Sequence, residues 1–277
     1  MKLRAKATLR STALSVVGAL VFATLASPAG AVAEGTDQSE ASSGVITESL
    51  ANVENANPSL LLDSVASGTG TTKFSNGEAT IPSDLSDGIT MRGEDGERFN
   101  IKLPNASSAE SPVTHFDGTV MYPGETSANS VIVSDLGVQM LTTIAGADAP
   151  VQYSYEVVLE EGQTLALIGD GAAVVNADGS SALIVGDAWA VDANGADVPT
   201  SYSVEGATLT QTVEHAAAGD FAYPVVADPV WFLPAVYRCL AGLTLSGPQI
   251  TRIITTGSPG SIGGALGLAI LACLRGK

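Results

Sequence analysis

Val151-Gln152-Tyr153-Ser154-Tyr155-Glu156-Val157 alternates apolar and polar side chains without a break. A period of two belongs to a β-strand with one face on a core and the other in water, because successive side chains of a strand point to opposite faces. Shorter stretches of the same kind recur on both sides. Residues 99–103, 131–133 and 138–141 precede it, and 164–168, 173–175, 182–185, 189–191, 202–204 and 208–213 follow it. Turn signals stand between them: Asn76-Gly77, Asp87-Gly88, Asp95-Gly96, Asp170-Gly171, Asp178-Gly179 and Asn194-Gly195. Asn-Gly and Asp-Gly suit hairpins because both residues tolerate positive φ. No helix-length amphipathic period interrupts residues 71–227. Many short strands so spaced predict an antiparallel β-sandwich or barrel-like domain, placed at residues 59–229.

The whole chain has 277 residues, 12 Lys and Arg against 29 Asp and Glu, and a formal net charge of −17. With 45% hydrophobic residues it is too apolar to be wholly disordered. Its acidity argues against nucleic acid as a partner, since phosphate backbones are bound by clustered Lys and Arg. Two cysteines are too few for a four-Cys zinc site or a disulfide-dense scaffold.

The charge is unevenly spread. Residues 1–33 hold four bases and no acid, residues 34–227 four bases and 28 acids, and residues 228–277 four bases against Asp228 alone. The first piece begins with Lys2, Arg4, Lys6 and Arg10, runs apolar over 13–26, and ends in Ala29-Gly30-Ala31-Val32-Ala33. A basic start, a short apolar run and a small-residue cleavage site make a secretory signal peptide at 1–33, cut after Ala31 or Ala33. The apolar run, about 14 residues, is short of the roughly 20 that span a bilayer. A secreted, extracellular or cell-envelope location follows. Residues 34–58, rich in Ser, Glu, Asn and Ala, read as a disordered linker with at most a weak helix over 46–53.

Residues 230–277 are apolar, cationic and rich in glycine. Gly247-Pro248 and Gly257-Ser258-Pro259-Gly260 divide them. Two short helices are expected, over 235–245 and 262–274, as a C-terminal helical hairpin. Cys239 falls in the first and Cys273 in the second. In an exported protein these can pair as a disulfide, which would close a loop of about 35 residues worth roughly 3.5–4 kcal/mol; the alternative is two buried thiols.

Between these pieces lies Tyr223-Pro224-Val225-Val226-Ala227-Asp228-Pro229. Pro224 cannot donate to a sheet ladder, so pairing should begin after it or the strand should lie at an edge. Asp228-Pro229 should then lead the chain out of the sheet, which makes Tyr223, Pro224, Asp228 and Pro229 a domain-boundary motif. The motif resembles the strand-ending Tyr-Pro-Val-x-x-Asp-Pro signature of secreted actinobacterial proteins, including YD-repeat (Rhs-type) and wall-associated ones. Met121-Tyr122-Pro123-Gly124, Asn129-Ser130-Val131-Ile132-Val133, Asp135-Leu136-Gly137-Val138 and Ala188-Trp189-Ala190-Val191-Asp192 are similar to that pattern in the same order. The resemblance covers roughly residues 115–229 and implies a non-catalytic β-rich module. The YD repeats themselves are missing, and no catalytic residue carries over.

His115 and His215 are the only groups with an ordinary pKa near neutrality. His115 and Asp117, two apart, would share one face of a strand, but no Gly-x-Ser-x-Gly elbow accompanies them. Asp192-Ala193-Asn194-Gly195-Ala196-Asp197 spaces oxygen ligands as a calcium loop does, yet lacks the closing Glu, and reads first as an acidic hairpin turn. No catalytic, metal or cofactor set is assigned. The expectation is a non-enzymatic extracellular or cell-wall-associated protein, contacting membrane or wall through its C-terminal segment. The alternative is a secreted membrane-active, bacteriocin-like toxin acting through residues 230–277, although the polar face there carries few bases.

Overall fold

Strands form wherever the two-residue alternation is sustained. The computed structural model describes residues 40–66, 68–94, 96–216 and 220–243. In chain order they hold helix α1 (Ser43–Ala56), then strands β1 (Gly70–Phe74), β2 (Gly77–Ile81), β3 (Ile89–Gly93), β4 (Arg98–Lys102), β5 (Val113–Thr114) and β6 (Val120–Tyr122). Next come β7 (Ser127–Ser134), β8 (Gly137–Ile144), β9 (Gln152–Val157), β10 (Thr164–Ile168), β11 (Gly171–Val175) and β12 (Ser181–Val185). The last are β13 (Ala190–Val191), β14 (Thr200–Glu205), β15 (Thr208–Val213), β16 (Val225–Ala227), β17 (Val230–Phe232) and helix α2 (Pro234–Ala241).

These strands make two antiparallel sheets, as the alternation predicts. One has the order β1-β2-β3-β4-β9-β15-β14. The other runs β10-β11-β12-β17-β8-β7-β6-β5, with β16 beside β8 and β13 on its far side. The sheets face each other as a sandwich. From β9, Tyr153, Tyr155 and Val157 point inward, while Gln152, Ser154 and Glu156 are exposed. Trp231 is fully buried among them, its ring centroid 6.3 Å from that of Tyr155. Turn glycines do what the sequence asks at Gly179 and Gly195, with φ of 84° and 78°, where a Cβ would be strained.

The stretch expected to be a linker is structured from Glu40 onward, which corrects the 34–58 assignment. Ser42 caps α1, its Oγ accepting from the Val45 N–H at 3.4 Å. Ile46, Leu50 and Val53 are buried, a spacing of i, i+4, i+7 that puts all three on one face. They cover the outer face of the ten-stranded sheet, where Met121, Ala128, Ile132, Leu141, Val226, Val230 and Phe232 form a second core. Two polar side chains of β8 under this cover are satisfied from it. Ser49 Oγ lies 3.1 Å from Thr143 Oγ1, and Gln139 accepts from the Leu62 N–H and donates to the Leu60 carbonyl. Three side chains explain why a 14-residue segment folds: each of them fully buried contributes about 1.5–3 kcal/mol.

The expected boundary at Asp228-Pro229 is also corrected. The chain does begin pairing after Pro224, at Val225. It then stays in the sheet. Val225, Val226 and Ala227 pair with Ile144, Thr143 and Thr142 of β8, and Val230 and Trp231 pair with Gln139 and Val138, in one unbroken register. Met140 N–H donates to the Pro229 carbonyl across the gap. Only the neighbour on the other side changes, from β13 to β12. Residues 230–233 therefore belong to the sandwich, not to a separable tail, because Trp231, Phe232 and Leu233 fill its two cores.

Helix α2 starts at Pro234, where a missing N–H costs nothing, and ends earlier than the expected 235–245. Leu240 is buried in the second core and Cys239 is exposed. The expected second helix over 262–274, with Cys273, and the expected signal peptide at 1–33 lie outside the described residues. Among the described residues, no helix is long and apolar enough to cross a membrane.

Candidate functional site

The motif residues hold the fold together. Asp228 is fully buried between the sheets. Its Oδ1 accepts from the Trp189 N–H at 3.0 Å, the Tyr202 hydroxyl at 3.2 Å and Gln211 Nε2 at 3.4 Å. Burial pushes its carboxyl up to about 8, against the pull of those donors. Tyr202 beside it is pushed well above the usual phenol range by its own burial and then by Asp228. Asp228 thus plugs the ladder where β12 hands over to β13. Tyr223 sits at the other end of the motif, its hydroxyl 2.9 Å from His215 Nδ1 and 3.1 Å from the His215 carbonyl.

Both histidines are held by neighbouring groups. His215 is buried, with Nε2 3.0 Å from the Pro150 carbonyl. His115 Nδ1 lies 3.0 Å from Asp117 Oδ1. The pair is not on a strand, as expected, but in the turn closed by Gly118 N–H on the His115 carbonyl. Burial works against the Asp117 carboxylate, but the Thr119 N–H and His115 prevail and hold it below its usual range. In the Asp192 loop, the carboxylate accepts from the backbone N–H groups of Asn194, Ala196 and Ala222. That is the hairpin-turn reading of the loop: its oxygens are committed to the backbone.

What remains is the outer face of the seven-stranded sheet. Cross-strand partners share a face, so the registers give its rows. Lys73, Glu78, Arg92 and Arg98 form one across β1–β4, and Thr71, Thr80, Thr90 and Asn100 the next. On β9, β15 and β14 the rows are Gln152-Thr212-Ser201, Ser154-Thr210-Ser203 and Glu156-Thr208-Glu205, with Lys102 opposite Glu156. Every side chain in these rows is polar. All four bases of residues 34–227 stand here: Lys73, Arg92, Arg98 and Lys102. Two of them sit in loose, exposed ion pairs, Arg92 Nε to Glu78 Oε1 at 3.7 Å and Lys102 Nζ to Glu156 Oε2 at 3.5 Å.

Two hollows open on this face. A cleft of about 620 Å³ lies where the Leu103-Pro104-Asn105 connection rises beside Lys102, Gln152, Ser154, Glu156 and Thr208. A smaller one, about 140 Å³, is lined by Glu78, Thr80, Thr90, Arg92 and Arg98. The sequence reading passed over these residues, although a signal was present. Arg92-Gly93-Glu94-Asp95-Gly96-Glu97-Arg98 is a turn flanked by two identical bases, which a hairpin brings opposite each other. The chain matches no protein-family model and no curated protein.

Proposed function

We propose that the chain is an exported, non-enzymatic protein of the extracellular space or cell wall, whose sandwich presents the polar face of its seven-stranded sheet for binding. The observation that carries this reading is that face: rows of hydroxyl, amide and charged side chains, open to solvent, around a cleft of about 620 Å³. Such a surface offers many hydrogen bonds and little apolar area, which suits a polar, hydrated ligand. The basic leader with its Ala29–Ala33 cleavage site supports export. The likeness of residues 115–229 to actinobacterial wall-associated modules supports a non-catalytic role. In this reading a C-terminal helical hairpin, begun by α2 and joined through Cys239 and Cys273, ties the protein to wall or membrane.

The test is expression of the full chain in a Gram-positive host, followed by mass spectrometry of supernatant, wall and cytoplasmic fractions. The expected product begins after Ala31 or Ala33, ends at Lys277 and partitions between wall and supernatant. An uncleaved chain confined to the cytoplasm would sink the reading.

A further inference from the structure

We propose that the hollow between β2, β3 and β4 is an oxyanion site that takes an isolated phosphate group. The inference rests on the reading of this face as a binding surface and gives that surface a ligand class. Arg92 and Arg98 stand directly opposite each other on adjacent strands. Like charges so placed destabilise a strand pair. The cost is conspicuous in residues 34–227, which have 28 acids and four bases to distribute and put two of those bases together.

The hydroxyls around the hollow retain protons to donate. Asn100 Nδ2 donates to Thr90 Oγ1 at 3.2 Å, which leaves the Thr90 hydroxyl proton to point elsewhere. Thr71 and Thr80 share one hydrogen bond of 2.8 Å, so one of their two hydroxyl protons is also left over. Glu78 meets Arg92 at Nε, leaving the terminal nitrogens of that guanidinium available. Arg98 makes no ion pair among the described residues. Two guanidinium forks and a hydroxyl around about 140 Å³ form the donor set that phosphate oxygens accept from bidentately.

The acids nearby define what does not bind. Glu78 lines the same hollow, and the turn joining the two arginines carries Glu94 and Glu97. A densely charged polyanion would meet these carboxylates at close range. A single phosphate monoester, whose charge is local, meets the arginines first.

The experiment is a titration of the full chain with glycerol phosphate, followed by the arginine Nε–H resonances, with inorganic phosphate and acetate as parallel arms. The expected result is saturable movement of the Arg92 and Arg98 signals with glycerol phosphate, and an affinity reduced about tenfold or more in Arg98→Gln, in line with loss of a charge-assisted hydrogen bond. The melting temperature of Arg98→Gln is expected to stay level or rise, because a like-charge pair is relieved. No saturable shift, or an affinity in Arg98→Gln and Arg92→Gln equal to that of the unsubstituted chain, overturns the site. Acetate binding as tightly as both phosphate compounds overturns the assignment to phosphate, and inorganic phosphate binding more tightly than the ester overturns the monoester. None of these readouts depends on where the chain is located, so the site and the wall-associated reading fail separately.

Discussion

The two sheets solve the same problem differently. The seven-stranded sheet buries one face and leaves the other wet, so its strands alternate, as in Gln152–Val157. The ten-stranded sheet is covered on both faces at its centre: every residue of β7 and β8 is buried. Its outer face is closed by α1 and α2, and residues such as Ser130, Gln139 and Thr143 are polar yet inaccessible. The difference separates a sheet buried on both faces from one that keeps a solvated polar face. One sheet is the interior of the molecule, and the other supplies its surface chemistry.

The largest effect should come from the strand at the middle of the covered sheet. A chain ending at Pro229 loses β17 and should not give a cooperative thermal transition, whereas one ending at Leu243 should melt cooperatively. Trp231→Ala is expected to cost about 3–5 kcal/mol, read by urea denaturation. A truncation at Pro229 that still melts like the full chain would restore the boundary expected from the motif. Next comes the helical cover: Leu50→Ala should cost about 2–4 kcal/mol, while a true linker would register no change.

A smaller effect separates the buried seam from both sheets. Asp228 has a folded pKa raised to about 8, above its ordinary value of about 4. Its neutral form is favoured by folding, so its contribution is fully present below about pH 4, declines as the pH rises through about 8, and is flat beyond. Asp228→Asn keeps an acceptor for the Trp189 N–H and removes that slope. The melting temperatures of the two proteins, compared from pH 4 to pH 9, should therefore diverge toward higher pH in favour of the variant. The smallest effect belongs to the wet face: Ser154→Ala, which breaks an exposed hydroxyl pair with Thr210, should shift stability by no more than about 0.5 kcal/mol. A loss of several times that would mean the face is covered.

Alternation marks β4, β9, β14 and β15 of the one-sided sheet in the sequence, whereas β1, β2 and β3 carry only the turn signals around them. The covering layer was harder to read. Ile46, Leu50 and Val53 have helical spacing, but three apolar residues among Ser, Glu and Asn resemble a solvated segment until the apolar outer face of β7 and β8 is known. Asp228-Pro229 misled for a related reason. Proline removes one ladder donor, and local rules take that as an exit. The register with β8 nevertheless continues through it, and a buried carboxylate bonds to the backbone on the other side. The arginine hollow depends on pairing across a hairpin, so it emerges only once β3 and β4 are in register.

The position of β17 also sets a clock. It lies between β12 and β8, so until residues 230–232 arrive the larger sheet is two unconnected pieces, β10-β11-β12 and β8-β7-β6-β5. Among the described residues that joining strand is the last in chain order. Every other strand of the larger sheet is therefore synthesised before the one that closes its core, and the sheet stays unfinished until residues 230–232 can be inserted.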